Sequence, residues 1–336
     1  MKFLIMGLGS MGKRRIRNLL ALGYKSEQIL GFDLRKDRTQ EAKELYNVNT
    51  INELESIKWK EIDAVIISTP PDKHLVCMKI AADHKLPMFV EASVIVQGLE
   101  EFDEYTTKNK ILVAPSCTFR FHPSIKLIKK IVHSKEFGKV TNYNYISGQY
   151  LRDWHPWEDI KDFYVSKRET SGSREIVPFE LTWLIDVFGF PEEIASYNVK
   201  TYDFGVDIDD TYISILKYPN FIGGLTVETV ARQAVRQLIV NFENGQILWD
   251  WNTKKIRVFN AIEKRWIIYE EPLGKAMEGY HPNIVEEMYI EEMKSFIEGV
   301  QGKNVYPNTL KDDIKILKFL SLMESANKGV KIDGKL

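Results

Sequence analysis

Only two cysteines, Cys77 and Cys117, occur among 336 residues. Neither sits at a metal-ligand spacing, so the chain encodes no disulfide framework and no thiolate metal centre, and no metal is expected. Both cysteines are expected to be small buried hydrophobes in a reducing compartment. Long apolar runs are missing as well, and a membrane-spanning helix needs about 18 such residues. Charge of one sign is equally scarce: 46 Lys and Arg stand against 47 Asp and Glu, for a net charge of -1. With a pI near 6.6 there is no basic field to hold nucleic acid. The first apolar residues are interrupted by glycine and followed by Lys13-Arg14-Arg15, unlike a secretory leader, so a cytoplasmic protein is expected. There is no internal repeat and no low-complexity stretch. What is present is 44% hydrophobic residues, enough for a large core and two domains.

The first thirty-three residues carry the strongest pattern. A short apolar run, Phe3-Leu4-Ile5-Met6, meets Gly7-Leu8-Gly9-Ser10-Met11-Gly12 and then a helix-like segment from Lys13 to Leu22. Gly7 permits a tight turn, Gly9 lets a pyrophosphate approach the backbone, and Gly12 lets helix and strand pack closely. The N–H groups of Ser10, Met11 and Gly12 then face an anion at the helix N-terminus. A second strand, Gln28 to Phe32, ends at Asp33, where a carboxylate can accept hydrogen bonds from the adenosine ribose. This is the layout of a dinucleotide site. Asp33 would repel a 2′-phosphate, which favours NAD over NADP, whereas Arg35, with Lys36 beside it, could serve a 2′-phosphate if Asp33 turned away.

Strand and helix signals alternate to about residue 120: strands at Ala64 to Ile67, Met88 to Val90 and Ile111 to Ala114, helices at Asp72 to Ala82 and Gly98 to Lys108. Such alternation predicts a doubly wound parallel sheet over residues 1–120. After Pro123 a helix, Lys126 to His133, is followed by strand-like runs at Val140 to Gln149, Tyr212 to Lys217, Ile222 to Val230, Leu238 to Phe242 and Ile256 to Phe259, with a turn at Asn244-Gly245. Strands in succession predict a largely antiparallel sheet, so residues 121–336 are expected to form a second, α+β domain, closed by helices at Ile284 to Gly299 and Leu310 to Ala326. Trp249, Trp251, Phe242 and Ile247 share one sheet face, which would either join subunits into a homodimer or homotetramer or pack under the domain's own helices.

Four segments, Gly7 to Gly12, Ser68-Thr69-Pro70-Pro71-Asp72-Lys73-His74, Arg120-Phe121-His122-Pro123 and Tyr150-Leu151-Arg152-Asp153-Trp154-His155-Pro156, occur in an order that resembles the glucose-fructose oxidoreductase and inositol dehydrogenase family, Gfo/Idh/MocA. The resemblance covers essentially the whole chain, and its last segment looks like a loop of members that work on bacterial surface sugars. It implies an NAD-dependent oxidoreductase of a sugar or sugar nucleotide, with Ser68, Thr69 and Pro70 against the nicotinamide half of the cofactor and His74 and Glu91 beside it.

The resemblance also exposes two departures. Family dehydrogenases end the fifth strand with Glu-Lys-Pro, whose lysine touches nicotinamide and substrate; here the segment reads Glu91-Ala92-Ser93. Ala92 can neither donate a proton nor supply charge. The family's later histidine is also absent, Phe179 or Thr182 standing near its place with Glu180 adjacent, and Pro178 is expected to break or restart the helix there. The candidate catalytic groups are therefore His155, in an aromatic loop, and Glu180. Substrate-binding candidates are Arg120, Arg152, Trp154, Tyr164, Arg168 and Arg174, since aromatic faces suit sugar C–H groups and guanidinium forks suit anionic oxygens. The missing pair leaves open a non-catalytic NAD-binding sensor, or an NAD-dependent glycosidase or lyase that recycles its cofactor.

Overall fold

The computed structural model describes residues 1–154, 156, 158–162, 164–272, 274 and 284–326. The chain divides into two units: Met1–His122 with Gly274–Leu317, and Pro123–Leu273 with Lys318–Leu336. The break at His122/Pro123 lies two residues beyond the expected one, and the chain's later return to the first unit was not expected.

In the first unit the elements run β1 (Phe3–Met6), α1 (Ser10–Ala21), β2 (Ile29–Phe32), α2 (Lys36–Tyr46), β3 (Asn49–Ile51), β4 (Ala64–Ile67), α3 (His74–Asp83), β5 (Met88–Val90), α4 (Leu99–Lys108) and β6 (Val113–Pro115). The six strands lie in the order β3-β2-β1-β4-β5-β6, all parallel. Every residue of β1 and β4 is buried, as expected of strands covered on both faces. The strand order reverses between β1 and β4, the crevice where doubly wound sheets take a ligand.

In the second unit, α5 (Pro123–Ser134) leads into β7 (Val140–Tyr150), followed by α6 (Gly172–Phe188), β8 (Glu193–Val199), β9 (Thr211–Lys217), β10 (Ile222–Glu228), β11 (Val230–Phe242), β12 (Gly245–Asp250), β13 (Lys255–Asn260) and β14 (Arg265–Glu270). These strands form one eight-stranded sheet, β14-β13-β12-β11-β7-β10-β9-β8, antiparallel except between β7 and β10. The hairpin pairs Phe242 with Gly245, so its turn is centred on Glu243-Asn244, one residue before the expected place.

Two expectations are corrected. Helix α6 runs unbroken through Pro178, because Ile176, Val177 and Leu181 around it are buried and that packing outweighs one missing N–H bond. The first closing helix, α7 (Glu286–Val300), belongs to the first unit, where Met293, Phe296 and Ile297 join Phe3, Ile5, Ile16 and Phe89 in one core. The last helix, α8 (Leu310–Ser325), contributes Leu310, Ile314 and Leu317 to the first unit's other core.

The faces of the second sheet sort cleanly. Trp249, Trp251, Phe242 and Ile247 are all buried, so they pack inside the unit. The other face exposes Tyr197, Ile213, Ile215, Ile222, Ile239 and Ile268, brought together by pairings such as Tyr197 with Ile213. No helix among the described residues is long and apolar enough to cross a membrane.

Candidate cofactor site

The glycine loop takes the geometry its residues dictate. Gly7 has φ 93°, and a β-carbon there would lie 2.6 Å from the Ser68 carbonyl oxygen, so only glycine fits. A β-carbon on Gly12 would run into the Gly7 carbonyl. Gly9 differs: a β-carbon there would meet nothing closer than the Arg38 guanidinium at 3.6 Å. The protein's own packing does not require glycine at that position, and the space over it is what an approaching phosphate needs. Helix α1 begins directly after Gly9, with no acidic residue in its first turn, so its unpaired N–H groups remain available to an anion.

Asp33 follows β2 and is held firmly. Its Oδ2 accepts from the Leu8 N–H at 2.8 Å and its Oδ1 from the Arg35 N–H at 2.9 Å. Each carboxylate oxygen retains a lone pair for a ribose hydroxyl. Arg35, the expected alternative, turns its guanidinium onto Asp37. The basic side chain beside Asp33 is Arg38, 3.8 Å away. Sequence reasoning passed over Arg38, although its place in the first turn of α2 was the available signal.

At the carboxyl ends of β4 and β5 the segment Ser68 to Pro70 is braced from behind. His74 is 3% exposed; its Nε2 lies 2.9 Å from the Thr69 carbonyl oxygen and its Nδ1 lies 2.8 Å from Ser93 Oγ. A carbonyl only accepts, so Nε2 carries the proton and Nδ1 accepts from Ser93. Burial pushes the His74 pKa down, against the raising effect of the Thr69 bond. His74 thus supports the loop from inside, and the direct cofactor contact expected of it is not available to a ring so placed.

Glu91 is likewise turned inward. Arg15 Nε reaches its Oε1 at 2.6 Å and Arg15 Nη2 its Oε2 at 3.0 Å, while Ser68 Oγ lies 3.4 Å from Oε1. Arg15 Nη2 also donates to Glu292 of α7 at 3.0 Å. Glu292 in turn accepts from the Cys117 N–H and from the hydroxyls of Ser116, Thr118 and Tyr306. Burial opposes the charge on Arg15, yet Glu91 and Glu292 hold its pKa above the ordinary value. Glu91 therefore organises the strand end and does not face a ligand.

The remaining candidates lie elsewhere. Glu180, fully buried, accepts from Tyr145, Ser147, Trp183 and Arg236 at 2.7 to 2.9 Å. With both oxygens satisfied and no route to solvent it is a structural anchor, which corrects its expected role as a base. His155 lies outside the described residues. Trp154 packs against a small core of Tyr150, Leu151, Ile160, Val165, Phe204 and Ile208. Tyr164 donates to Glu175 at 2.7 Å, and Arg174 is engaged by Glu324 and the Glu169 carbonyl. Those contacts fix the loop before α6, so Tyr164 and Arg174 serve its fold. Arg168 reaches Asp209 at 3.0 Å but stays largely exposed, Arg152 is exposed with its guanidinium 6.0 Å from the Phe204 ring, and Arg120 donates to the Pro307 carbonyl. Phe179 is half-buried and Thr182 donates to the Pro178 carbonyl, so neither supplies an acid or base. Among the described residues no group of His, Cys, Asp and Glu could hold a metal ion.

Known proteins resemble the chain in the same terms. The Gfo/Idh/MocA profile, an oxidoreductase family with an NAD-binding Rossmann fold, matches residues 1–113. No curated protein matches the chain. Among solved structures, UDP-N-acetylglucosamine 3-dehydrogenase GnnA from Acidithiobacillus ferrooxidans aligns with a TM-score of 0.76 at 14% identity, over 97% of each chain. Levoglucosan dehydrogenase in complex with NADH and L-sorbose gives 0.81 at 15% identity, over 97% of this chain and 96% of that one. An oxidoreductase from Agrobacterium radiobacter, solved with NAD+, L-tartaric acid and magnesium, gives 0.80 at 12%, over 97% and 96%. Residues 1–113 therefore match the Gfo/Idh/MocA model of an oxidoreductase family with an NAD-binding Rossmann fold, and the whole chain shares the fold of these solved structures.

Proposed function

We propose that the protein is an NAD-dependent oxidoreductase acting on a hydroxyl or keto group of a sugar or sugar nucleotide. The observation that carries this reading is the crevice between β1 and β4, with only the Arg38 side chain near Gly9 and a fixed Asp33 carboxylate at its rim. The bound nicotinamide would supply the hydride acceptor. The chain's own residues hold it: the N–H groups of Ser10, Met11 and Gly12 face the pyrophosphate, Asp33 accepts from the ribose, and Ser68 to Pro70 flank the nicotinamide half. NAD is preferred to NADP because Asp33 opposes a 2′-phosphate. The sugar assignment draws on the sugar-acting dehydrogenases that share the fold.

A second reading, a metabolite sensor that keeps NAD without turning it over, is favoured by Ala92 in the lysine's place. One experiment separates the two. NADH binding is followed by fluorescence, and NAD+ reduction is followed at 340 nm with UDP-sugars, free sugars and anhydrosugars. Turnover with any of them supports the enzyme; tight NADH binding without turnover supports the sensor. The exposed Ile213, Ile215, Ile239 and Ile268 face suits a homodimer or homotetramer, and a monomer by light scattering would exclude both. An NAD-linked reaction and two buried cysteines outside any disulfide fit a cytoplasmic setting.

A further inference from the structure

We infer that Ser93, hydrogen-bonded to His74, is the group of this chain that takes the proton from a substrate hydroxyl, in the part of the site where the family pattern has lysine and proline. The inference rests on the oxidoreductase reading above and names the group that serves it.

The argument begins with what the strand end offers. Glu91 is held by Arg15 and Ala92 has no titratable atom, so the first side chain after β5 that can move a proton is Ser93. Ser93 is half-buried, at the carboxyl end of the sheet where the second half of a dinucleotide would lie. A serine alone is too weak an acid or base to help. Here its O–H points to His74 Nδ1 at 2.8 Å, and His74 Nε2 is fixed on the Thr69 carbonyl at 2.9 Å. This is an activated hydroxyl with an oriented base behind it. Because its own proton is directed at His74, Ser93 Oγ has lone pairs to accept from an alcohol. His74, 3% exposed, cannot reach a substrate except through that hydroxyl.

Bound NAD+ would supply the acceptor for the hydrogen that leaves the alcohol carbon with both bonding electrons. The alcohol proton passes to Ser93 Oγ as the serine proton passes to His74 Nδ1. The products would be a ketone, the reduced cofactor and a His74 imidazolium, and reduction would run the same transfers backwards. The imidazolium would donate through both nitrogens, to Ser93 Oγ and to the Thr69 carbonyl. Glu91 and Asp72 favour its charge, burial opposes it, and Arg15 beside Glu91 offsets part of that carboxylate's help. The imidazole is thus neutral at rest and able to accept.

The test uses the full-length protein with Ser93→Ala, Ser93→Thr and His74→Gln. Nitrogen NMR of the His74 ring should show the Nε2–H tautomer in the wild type and a mixture in Ser93→Ala. With a sugar that the wild type oxidises, Ser93→Ala and His74→Gln should lower kcat by about 10²- to 10⁴-fold with KM and NADH affinity little changed. Ser93→Thr, which keeps the hydroxyl, should retain most of the activity. The wild-type rate should fall at low pH with a one-proton dependence that Ser93→Ala abolishes. An Nδ1–H tautomer in the wild type overturns the relay whatever the kinetics, and so does Ser93→Ala turnover within twofold of wild type. Wild-type protein that binds NADH but oxidises no sugar overturns the dehydrogenase reading, and the relay with it.

Discussion

Arg15 and Glu91 form a bidentate ion pair inside the first unit, 76 residues apart in sequence, with Nε on Oε1 at 2.6 Å and Nη2 on Oε2 at 3.0 Å. Glu292 closes the network from α7. One guanidinium thus fixes the end of β5, the start of α1 and the later helix together, immediately behind the glycine loop.

Removing that cation leaves two buried carboxylates without a counter-charge, although Glu292 keeps its four other hydrogen-bond donors. Arg15→Met is expected to cost about 3–5 kcal/mol of stability, read as a lower urea midpoint with an unchanged slope. A loss under about 1 kcal/mol, the range of exposed pairs, would contradict the network's buried role.

At the ribose, Asp33→Ala should weaken NADH binding by about 1–3 kcal/mol, the size of hydrogen bonds lost from a charged acceptor. The same change removes the repulsion of a 2′-phosphate and leaves Arg38 beside the site, so the NADH/NADPH affinity ratio should fall. Fluorescence titration of both reduced cofactors checks this. Wild-type protein that binds NADPH as tightly as NADH would reassign the site to Arg38.

Asp313 makes stability depend on pH. Burial raises its pKa to about 7, against the lowering effects of Asn308 and Arg120. The folded state therefore holds a proton that the unfolded chain releases near its ordinary value of about 3.9. This contribution is complete below about pH 4 and is lost as pH rises through about 7. Asp313→Asn, which cannot ionise, should raise Tm at pH 8 more than at pH 5. A tenfold change in proton affinity is worth about 1.4 kcal/mol, so the difference between the two pH values should be on the order of 1–3 kcal/mol. Equal changes at both would show that the carboxyl is charged throughout.

Glu180→Ala should destabilise the second unit by about 3–5 kcal/mol, because Arg236 loses its buried counterion while Tyr145, Ser147 and Trp183 lose their acceptor. NADH affinity should stay within a fewfold of wild type. Thermal unfolding and NADH titration on the same samples test it, and a folded, fully stable variant without activity would restore a catalytic role.

Edge strands were the least legible part of the fold. β3, β8 and β14 gave no clear sequence signal, and each lies at an edge of its sheet. An edge strand pairs on one side only and meets solvent on the other, so its sequence need not be strongly apolar or alternating. Central strands such as β1 and β4, buried along their whole length, announced themselves as apolar runs.

The glycine loop and Asp33 were also readable, because a turn, a helix start and a strand end are local events in which few neighbours decide the outcome. Which side chains are available was settled only by folding. Glu91, His74 and Glu180 are polar residues near expected sites, and nothing nearby in sequence says whether they face a ligand. Arg15 claims the first, Ser93 and the Thr69 carbonyl the second, and Tyr145, Ser147, Trp183 and Arg236 the third. Sequence determined the Rossmann domain and its anion-facing loop through short-range sterics and periodicity. Tertiary structure decided the fate of each polar group, because a buried charge must find partners and those partners come from anywhere in the chain.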